Sequence, residues 1–127
     1  MAITCISHIS VYTKDQQQAL EWYQGKLGFE LCDDMSDVVP GFRWLTVAPR
    51  GNKSVQMVLM PILKDGDEQY IGTNPMCILG SSDCRMDCDD LESRGVTIVD
   101  PPMEMPWGVS AIICDLYGNP YNLVQFS

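Results

Sequence analysis

The chain has 127 residues, enough for one domain with a buried core, and its 46% hydrophobic and 20% charged residues are typical of a globular protein. Its 8 basic and 17 acidic residues give a net charge of −9, which argues against nucleic-acid binding because phosphate backbones repel such a surface. No stretch approaches the ~18 apolar residues of a membrane span.

The first residues, Met-Ala-Ile-Thr-Cys-Ile-Ser-His, lack the basic region and long apolar run of a secretion signal, so we expect a cytoplasmic protein. The six cysteines are then expected to be reduced thiols, and most lie in apolar strand or helix patterns. Cys84 and Cys88 would share one face of a helix with Leu91, so core packing is preferred over a metal site.

The first half of the chain alternates between strand and helix patterns. Residues 6–13 are β-branched and partly alternating, which predicts a strand. Asp15 is a predicted N-cap for an apolar helical face, and Gly28 is predicted to end that helix. Three further strands are expected over residues 30–34, 42–47 and 55–60, with turns at 40–41 and 49–52 between them.

The second half repeats this order. Residues 76–82 predict a strand, Asp83 a helix cap and Gly95 a helix end, and strands are expected near residues 97–99, 109–114 and 121–126. The polar residues 62–75 between the halves predict a linker. We therefore predict one module over residues 1–61 and a second over 76–127, together forming one compact domain.

The duplication extends to individual residues. A shift of 68 places Asp15 on Asp83 and His8 on Met76, and a shift of 67 places the pair at 51–52 on the pair at 118–119, both Gly-Asn. Two copies of one unit stack because neither can bury its sheet face alone. The predicted fold class is α+β, with two tandem βαβββ modules.

Several segments in fixed order carry a resemblance to a known family. They are Ile-Ser-His-Ile-Ser-Val at 6–11, Ala-Leu-Glu-Trp-Tyr at 19–23, Lys-Leu-Gly-Phe at 26–29, Leu-Glu-Ser-Arg-Gly-Val at 91–96, Pro-Trp-Gly at 106–108 and Asp-Leu-Tyr-Gly-Asn-Pro at 115–120. With the tandem repeat, the chain resembles the vicinal oxygen chelate superfamily, the glyoxalase, bleomycin-resistance and extradiol-dioxygenase group. The resemblance implies cupped mixed sheets around a small-molecule pocket, commonly with a metal held by the first and fourth strands of each module.

The resemblance places those four ligand positions on His8, Gln56, Met76 and Asn122. Val55 remains an alternative to Gln56, because the alignment there needs a one-residue gap. A thioether and two amides supply no charge to offset a divalent ion, and the chain has 1 histidine, so no metal cofactor is expected. His8, with Gln56, is then either a catalytic residue or a former ligand held by hydrogen bonds inside the cup.

Aromatic residues are further candidates for ligand binding. Alternation sends Phe42 and Trp44 to one face of a strand and Arg43 to the other. Aromatic rings facing the cup would stack on a planar ligand, whereas Arg43 there would pair with a carboxylate or phosphate. Packing of the two rings under the helix layer is an equal alternative. The remaining predicted ligand-binding residues are Met76, Trp107, Tyr121 and Asn122.

Three functions are compatible with these residues. The preferred one is a protein that binds a small molecule without metal, as bleomycin-resistance members do, and whose acidic surface would suit a cationic ligand. The second is a glyoxalase-like lyase or isomerase, or a dioxygenase-related enzyme, using His8 and Gln56. The third is a fold relative with no chemistry of its own. The resemblance also implies a homodimer, and modules could pair within one chain or between two.

Overall fold

The computed structural model describes the backbone of residues 1–127 and the side chains of all of them except 37 and 38. The chain divides into two compact units, Met1–Ile71 and Gly72–Ser127. Each unit contains a strand, a helix and three further strands in that order. The predicted α+β fold with two βαβββ repeats is therefore confirmed.

Unit 1 contains a mixed four-stranded sheet with one helix. Its elements are β1 (His8–Tyr12), α1 (Gln16–Gly25), β2 (Glu30–Val39), β3 (Phe42–Ala48) and β4 (Gln56–Met60). The strand order is β1-β4-β3-β2, with β1 parallel to β4 and the other neighbours antiparallel. Asp15 caps α1 as predicted, since its carboxylate accepts a 3.0 Å hydrogen bond from the Gln18 amide.

Unit 2 repeats this arrangement. Its elements are β5 (Cys77–Gly80), α2 (Cys84–Ser93), β6 (Thr97–Met105), β7 (Gly108–Cys114) and β8 (Pro120–Phe126). The strand order is β5-β8-β7-β6, again with the first and last strands parallel. Asp83 accepts a 3.0 Å hydrogen bond from the Met86 amide, so the predicted cap is confirmed here as well.

The helix of unit 1 ends earlier than the sequence predicts. It stops at Gly25, and Gly28 lies in the turn that follows. There Gly28 adopts a φ of +70°, and the Phe29 amide donates back to the Tyr23 carbonyl at 3.0 Å. Glycine adopts a positive φ without the steric penalty that a Cβ atom would cause, and a backward hydrogen bond of this kind commonly terminates a helix. Gly28 therefore ends the helical turn, although it lies outside α1 itself.

The core of each unit lies between its helix and one face of its sheet. In unit 1, α1 buries Ala19, Leu20 and Tyr23, and the buried residues that alternate on the sheet are Val11, Leu45, Val47, Met57 and Leu59. In unit 2, the Cys84 thiol donates to the Leu123 carbonyl at 3.5 Å, and Cys88 and Leu91 are buried beside it. The core role predicted for Cys84 and Cys88 is confirmed.

The second strand of each repeat is longer than predicted. The sequence predicts strands over residues 30–34 and 97–99, but β2 continues to Val39 and β6 to Met105. Both strands contain shifts in register that break the apolar alternation. The two prolines at 101–102 also disguise β6, and they are tolerated because β6 is an edge strand.

The segment predicted as a linker, residues 62–75, contains a short 3-10 turn, Asp67–Tyr70. The buried Asp67 carboxylate accepts hydrogen bonds from the amides of Leu63 and Lys64, each at 3.3 Å, which fixes the turn. Tyr70 then packs against Tyr12 of β1, with ring centroids 5.7 Å apart. Among the described residues, no helical segment is long and apolar enough to cross a membrane.

Candidate functional site

The face of the unit 1 sheet opposite α1 carries His8 and is here called the histidine face. His8 pairs in register with Gln56 on the parallel strand β4, so both side chains project from this face. Trp44 reaches it from β3, with its ring centroid 5.4 Å from that of His8 and the two planes at 62°. All three side chains are partly exposed, and so they are accessible to a ligand. The other residues of the histidine face are Ser10, Tyr12, Phe42, Thr46, Val58 and Met60.

The amide of Gln56 is held by a neighbouring strand. The hydroxyl of Thr46 donates a 2.8 Å hydrogen bond to Gln56 Oε1, and the same hydroxyl oxygen accepts from the Asp33 amide at 3.0 Å. Val55, the alternative fourth-strand position, precedes β4 and is 43% exposed. The structure therefore brings Gln56, and not Val55, beside His8.

The structure determines which face of β3 each of the three candidate side chains occupies. Phe42 and Trp44 lie on the histidine face, whereas Arg43 projects towards the helix side. There its guanidinium donates two 2.8 Å hydrogen bonds to the Asp34 carboxylate and one of 3.0 Å to Gln17 of α1. The hydrogen bond from Arg43 lowers the pKa of Asp34 and raises the pKa of Arg43 itself. Arg43 is thus not brought together with His8, and its carboxylate partner is a residue of this chain.

Unit 2 contains a matching face, which carries Asn122 and is here called the asparagine face. Ser110 of β7 donates a 2.7 Å hydrogen bond to Asn122 Oδ1, as Thr46 does to Gln56 in unit 1. The register partner of Asn122 on β5 is Ile78, and Met76 lies one residue before that strand. By strand pairing, the residue of β5 that corresponds to His8 is Ile78. The shift of 68 instead aligns His8 with Met76, two residues earlier in the chain.

Two aromatic candidates of unit 2 lie away from Asn122. Tyr121 is next to Asn122 in β8 and so projects to the opposite face, where it is 2% exposed within the helix-side core. The structure does not bring Tyr121 to the asparagine face. Trp107 lies in the turn between β6 and β7, where its carbonyl accepts the Ser127 amide at 3.1 Å and its side chain is 46% exposed.

The donors on these faces do not fit a divalent transition metal. Among the side chains that the structure describes, the histidine face offers one imidazole and one amide and the asparagine face offers one amide, so neither set includes an anionic ligand. Both amide oxygens, the atoms that would coordinate a metal, accept hydrogen bonds from hydroxyl groups. No group of three His, Cys, Asp or Glu side chains with metal-binding geometry occurs among the described residues.

One thiol lies near the histidine face but is not activated. Burial raises the pKa of Cys32, although the charge of Lys53 acts in the opposite direction. A thiol whose pKa is raised stays protonated at neutral pH, and a protonated thiol is neither a good nucleophile nor a metal ligand. Cys32 therefore contributes polarity rather than reactivity.

Sequence reasoning missed the two hydroxyl residues that hold the amides. Thr46 lies two residues after Trp44 in β3, so strand alternation alone would place it on the same face. Ser110 gives a weaker signal, because its role depends on the pairing of β7 with β8. The contact between Tyr70 and Tyr12 could not be predicted from local sequence patterns, because it joins two segments that are far apart in the chain, a linker and a strand.

Residues 5–123 match the family model of the Glyoxalase/Bleomycin resistance protein/Dioxygenase superfamily. The chain belongs to this superfamily. Among curated proteins, it is 30% identical to an uncharacterized protein of Shewanella frigidimarina, over 96% of this chain and 93% of that protein.

Two solved structures superpose closely on this chain. TnmS3, described as an antibiotic binding protein from Streptomyces sp. CB03234, is 35% identical and gives a TM-score of 0.86, with 100% of this chain and 99% of that chain covered. UcmS2 also gives a TM-score of 0.86, at 29% identity, with 97% and 98% of the two chains covered. These likenesses extend over nearly the whole of each protein.

Proposed function

We propose that this protein binds a small, planar organic molecule on the histidine face, without a metal cofactor. The observation that carries the proposal is the edge-to-face pair of His8 and Trp44, which leaves two partly exposed rings beside the Gln56 amide. Aromatic rings recognise planar ligands through stacking and edge contacts, and a few polar groups then fix the orientation of the ligand. Phe42 extends the aromatic surface along β3.

The likeness to TnmS3 supports this proposal over an enzyme of the same fold. One fold can carry many functions, so the argument needs the site as well as the superposition. Here the side chains that the structure describes include no group of charged donors that metal-dependent chemistry would use, and a relative at 35% identity is described as an antibiotic binding protein. Both observations favour binding, with the ligand drawn from the broad class of antibiotic-like molecules.

We further propose that the protein is a cytoplasmic homodimer. All six cysteines are free thiols, and free thiols are typical of proteins in a reducing compartment. Large apolar side chains on the asparagine face, including Ile78 at 59% exposure and Phe126 at 63%, are the surface that a second copy would cover. Sedimentation of the purified protein at two concentrations tests the dimer, and a single monomeric species would contradict it.

A thermal-shift screen tests the proposed function. The panel would contain planar aromatic compounds, antibiotics of several classes and charged non-aromatic controls, each measured in the presence of EDTA. Stabilisation by planar compounds is expected, because a ligand that binds only the folded protein raises its melting temperature. No stabilisation by any compound would contradict the proposal.

The His8→Ala variant separates binding from catalysis. If the site only binds, loss of the imidazole removes one ring contact, and we expect the dissociation constant to rise less than about tenfold. If His8 acted as a general acid or base, turnover of a substrate would fall by about 100-fold or more while binding persisted. That second result would favour the lyase, isomerase or dioxygenase alternative.

A further inference from the structure

The hydrogen bonds around Gln56 determine which end of its amide faces outwards. The Asp33 backbone N–H donates to Thr46 Oγ1, so the hydroxyl oxygen of Thr46 already acts as an acceptor. Thr46 donates its single hydroxyl proton to Gln56 Oε1 at 2.8 Å, so the oxygen end of the amide is turned towards Thr46. Thr46 is fully buried, which protects this chain of hydrogen bonds from water.

With the oxygen of Gln56 turned towards Thr46, its amino group faces the histidine face. Gln56 Nε2 has no hydrogen-bond partner among the described residues, and the side chain is partly exposed. An amide N–H₂ group carries two donors and no acceptor. The position from which the family commonly supplies a metal ligand therefore presents hydrogen-bond donors here.

The same device recurs independently in unit 2. The Ser110 hydroxyl donates to Asn122 Oδ1 at 2.7 Å, which leaves the Asn122 amino group as the outward end of that amide. Asn122 is also partly exposed. In both sheets, a hydroxyl group of the neighbouring strand donates to the side-chain amide oxygen, which leaves the amino group as the outward end of the amide.

We propose that the histidine face is selective for a neutral hydrogen-bond acceptor, such as the carbonyl oxygen of a planar ring system, which Gln56 Nε2 binds. This inference rests on the proposed function and specifies its ligand class. Donor groups repel cations and attract electron-rich oxygen, so the acidic surface of the chain does not make this site one for a cationic ligand. Thr46 is a positioning residue that orients the donor, and Gln56 contacts the ligand.

Three planar probes of nearly equal shape test the inference. Fluorenone carries a ring carbonyl, fluorene lacks it, and N-methylacridinium is a permanent cation. Dissociation constants would be measured from the quenching of tryptophan fluorescence in EDTA-containing buffer. We expect fluorenone to bind about fivefold tighter than fluorene, the ratio that one net hydrogen bond gives, and the cation to bind more weakly than fluorenone.

Variants assign this selectivity to particular groups. Gln56→Met keeps the side-chain length but removes the donors, and it should reduce the fluorenone-to-fluorene ratio to about one while fluorene affinity is kept. Thr46→Val removes the orienting hydroxyl and should lower the ratio without abolishing binding. Gln17→Met on α1 is the matched control, and it should leave the ratio unchanged. A ratio is the readout because a general loss of structure would weaken both probes equally.

A spectroscopic measurement complements the ratios. In ¹⁵N-labelled protein, the side-chain amide signals that vanish in Gln56→Met are those of Gln56, and fluorenone but not fluorene should shift them. Equal binding of fluorenone and fluorene by the native protein, or tighter binding of the cation, would overturn the inference while the binding function stands. Failure of all three probes to bind would overturn both.

Discussion

The rings of His8 and Trp44 meet edge to face, with centroids 5.4 Å apart, although their strands β1 and β3 are separated by β4. The contact between the two rings passes over β4. Val58, one of the β4 residues on the histidine face, is 3% exposed. The two side chains therefore cover apolar surface and at the same time offer ring edges and faces to a ligand. This relationship links the packing of unit 1 to its proposed function.

Replacing Trp44 by Leu should weaken the binding of a planar ligand. The change keeps apolar volume but removes the indole, and the lost aromatic contact is worth about 0.5–1.5 kcal/mol, or up to about tenfold in affinity. Titration of fluorenone into the variant, followed by the absorbance of the probe, measures this loss. Trp22→Leu on α1 is the control, and an equal loss there would contradict a specific role for Trp44.

Replacing Asn119 by Ala should destabilise the chain. Asn119 is fully buried, its Nδ2 donates a 2.8 Å hydrogen bond to Asp115, and its Oδ1 accepts a 3.0 Å hydrogen bond from the Asn74 backbone amide. These bonds connect the segment before β5 to the turn before β8. Loss of these bonds leaves buried polar groups unpaired at a cost of about 1–3 kcal/mol. Urea unfolding measures the difference.

The control for that variant comes from the repeat itself. Asn52 occupies the matching position in unit 1, but it is exposed, and its side-chain oxygen accepts hydrogen bonds from the nearby Ser54. Asn52→Ala should change the free energy of unfolding by less than about 0.5 kcal/mol. Equal effects of the two replacements would show that burial at position 119 does not matter.

The Asp34–Arg43 pair should contribute a small, acid-sensitive part of the stability. Hydrogen bonding to Arg43 lowers the pKa of Asp34 below the usual 3.8, so the stabilisation is fully present above pH 3.8 and is lost as the pH falls through the lower, folded value. The Arg43 side chain is 25% exposed and that of Asp34 is 33% exposed, which limits the contribution to about 1 kcal/mol or less.

Comparison of Asp34→Asn with the native protein at several pH values tests this. The stability difference should be greatest at neutral pH and should shrink below pH 3.8. Asp90→Asn, which breaks a more exposed pair with Arg94 one helical turn away, is the control and should cost only about 0.3–0.5 kcal/mol. A stability difference for Asp34→Asn that grows on acidification would contradict the sign of this argument.

The cysteines should differ widely in reactivity. Cys5 is exposed, whereas Cys84 and Cys88 are buried, and burial raises the pKa of Cys88 to about 12. Because the thiolate is the reactive species, we expect one thiol to react rapidly with a disulfide reagent and the helix thiols to react only on unfolding. Mass spectrometry of the partly labelled protein identifies the sites. Rapid labelling of Cys88 in the folded protein would contradict its core position.

Much of the fold could be predicted because the two halves of the sequence repeat one pattern, so that an element predicted in one half supports the matching element in the other. Asp15 and Asp83 both proved to be N-caps, since a short carboxylate before an apolar helical face satisfies an otherwise unpaired amide. The ends of β2 and β6 could not be predicted, because bulges interrupt the alternation on which strand prediction depends. The position of Met76 before β5 likewise depends on strand register, which a constant shift between repeats does not determine.

The candidate site was less predictable than the fold. Alternation correctly separated Trp44 from Arg43 but did not determine which of them would lie on the face carrying His8. That choice depends on which face the helix covers, and hence on tertiary packing. Tyr121 illustrates the same limit, since its aromatic character suited a ligand-binding role but its place in β8 buries it under α2.

The central claim is that this chain binds its ligand without metal. A calorimetric titration of fluorenone, performed once in EDTA and once with added Zn²⁺, Ni²⁺ or Mn²⁺ after removal of the chelator, tests this claim most directly. We expect dissociation constants that agree within about twofold, because the amide oxygens of Gln56 and Asn122 are already engaged and His8 belongs to no metal-binding group among the described residues. Binding that requires one of the metals would contradict the account.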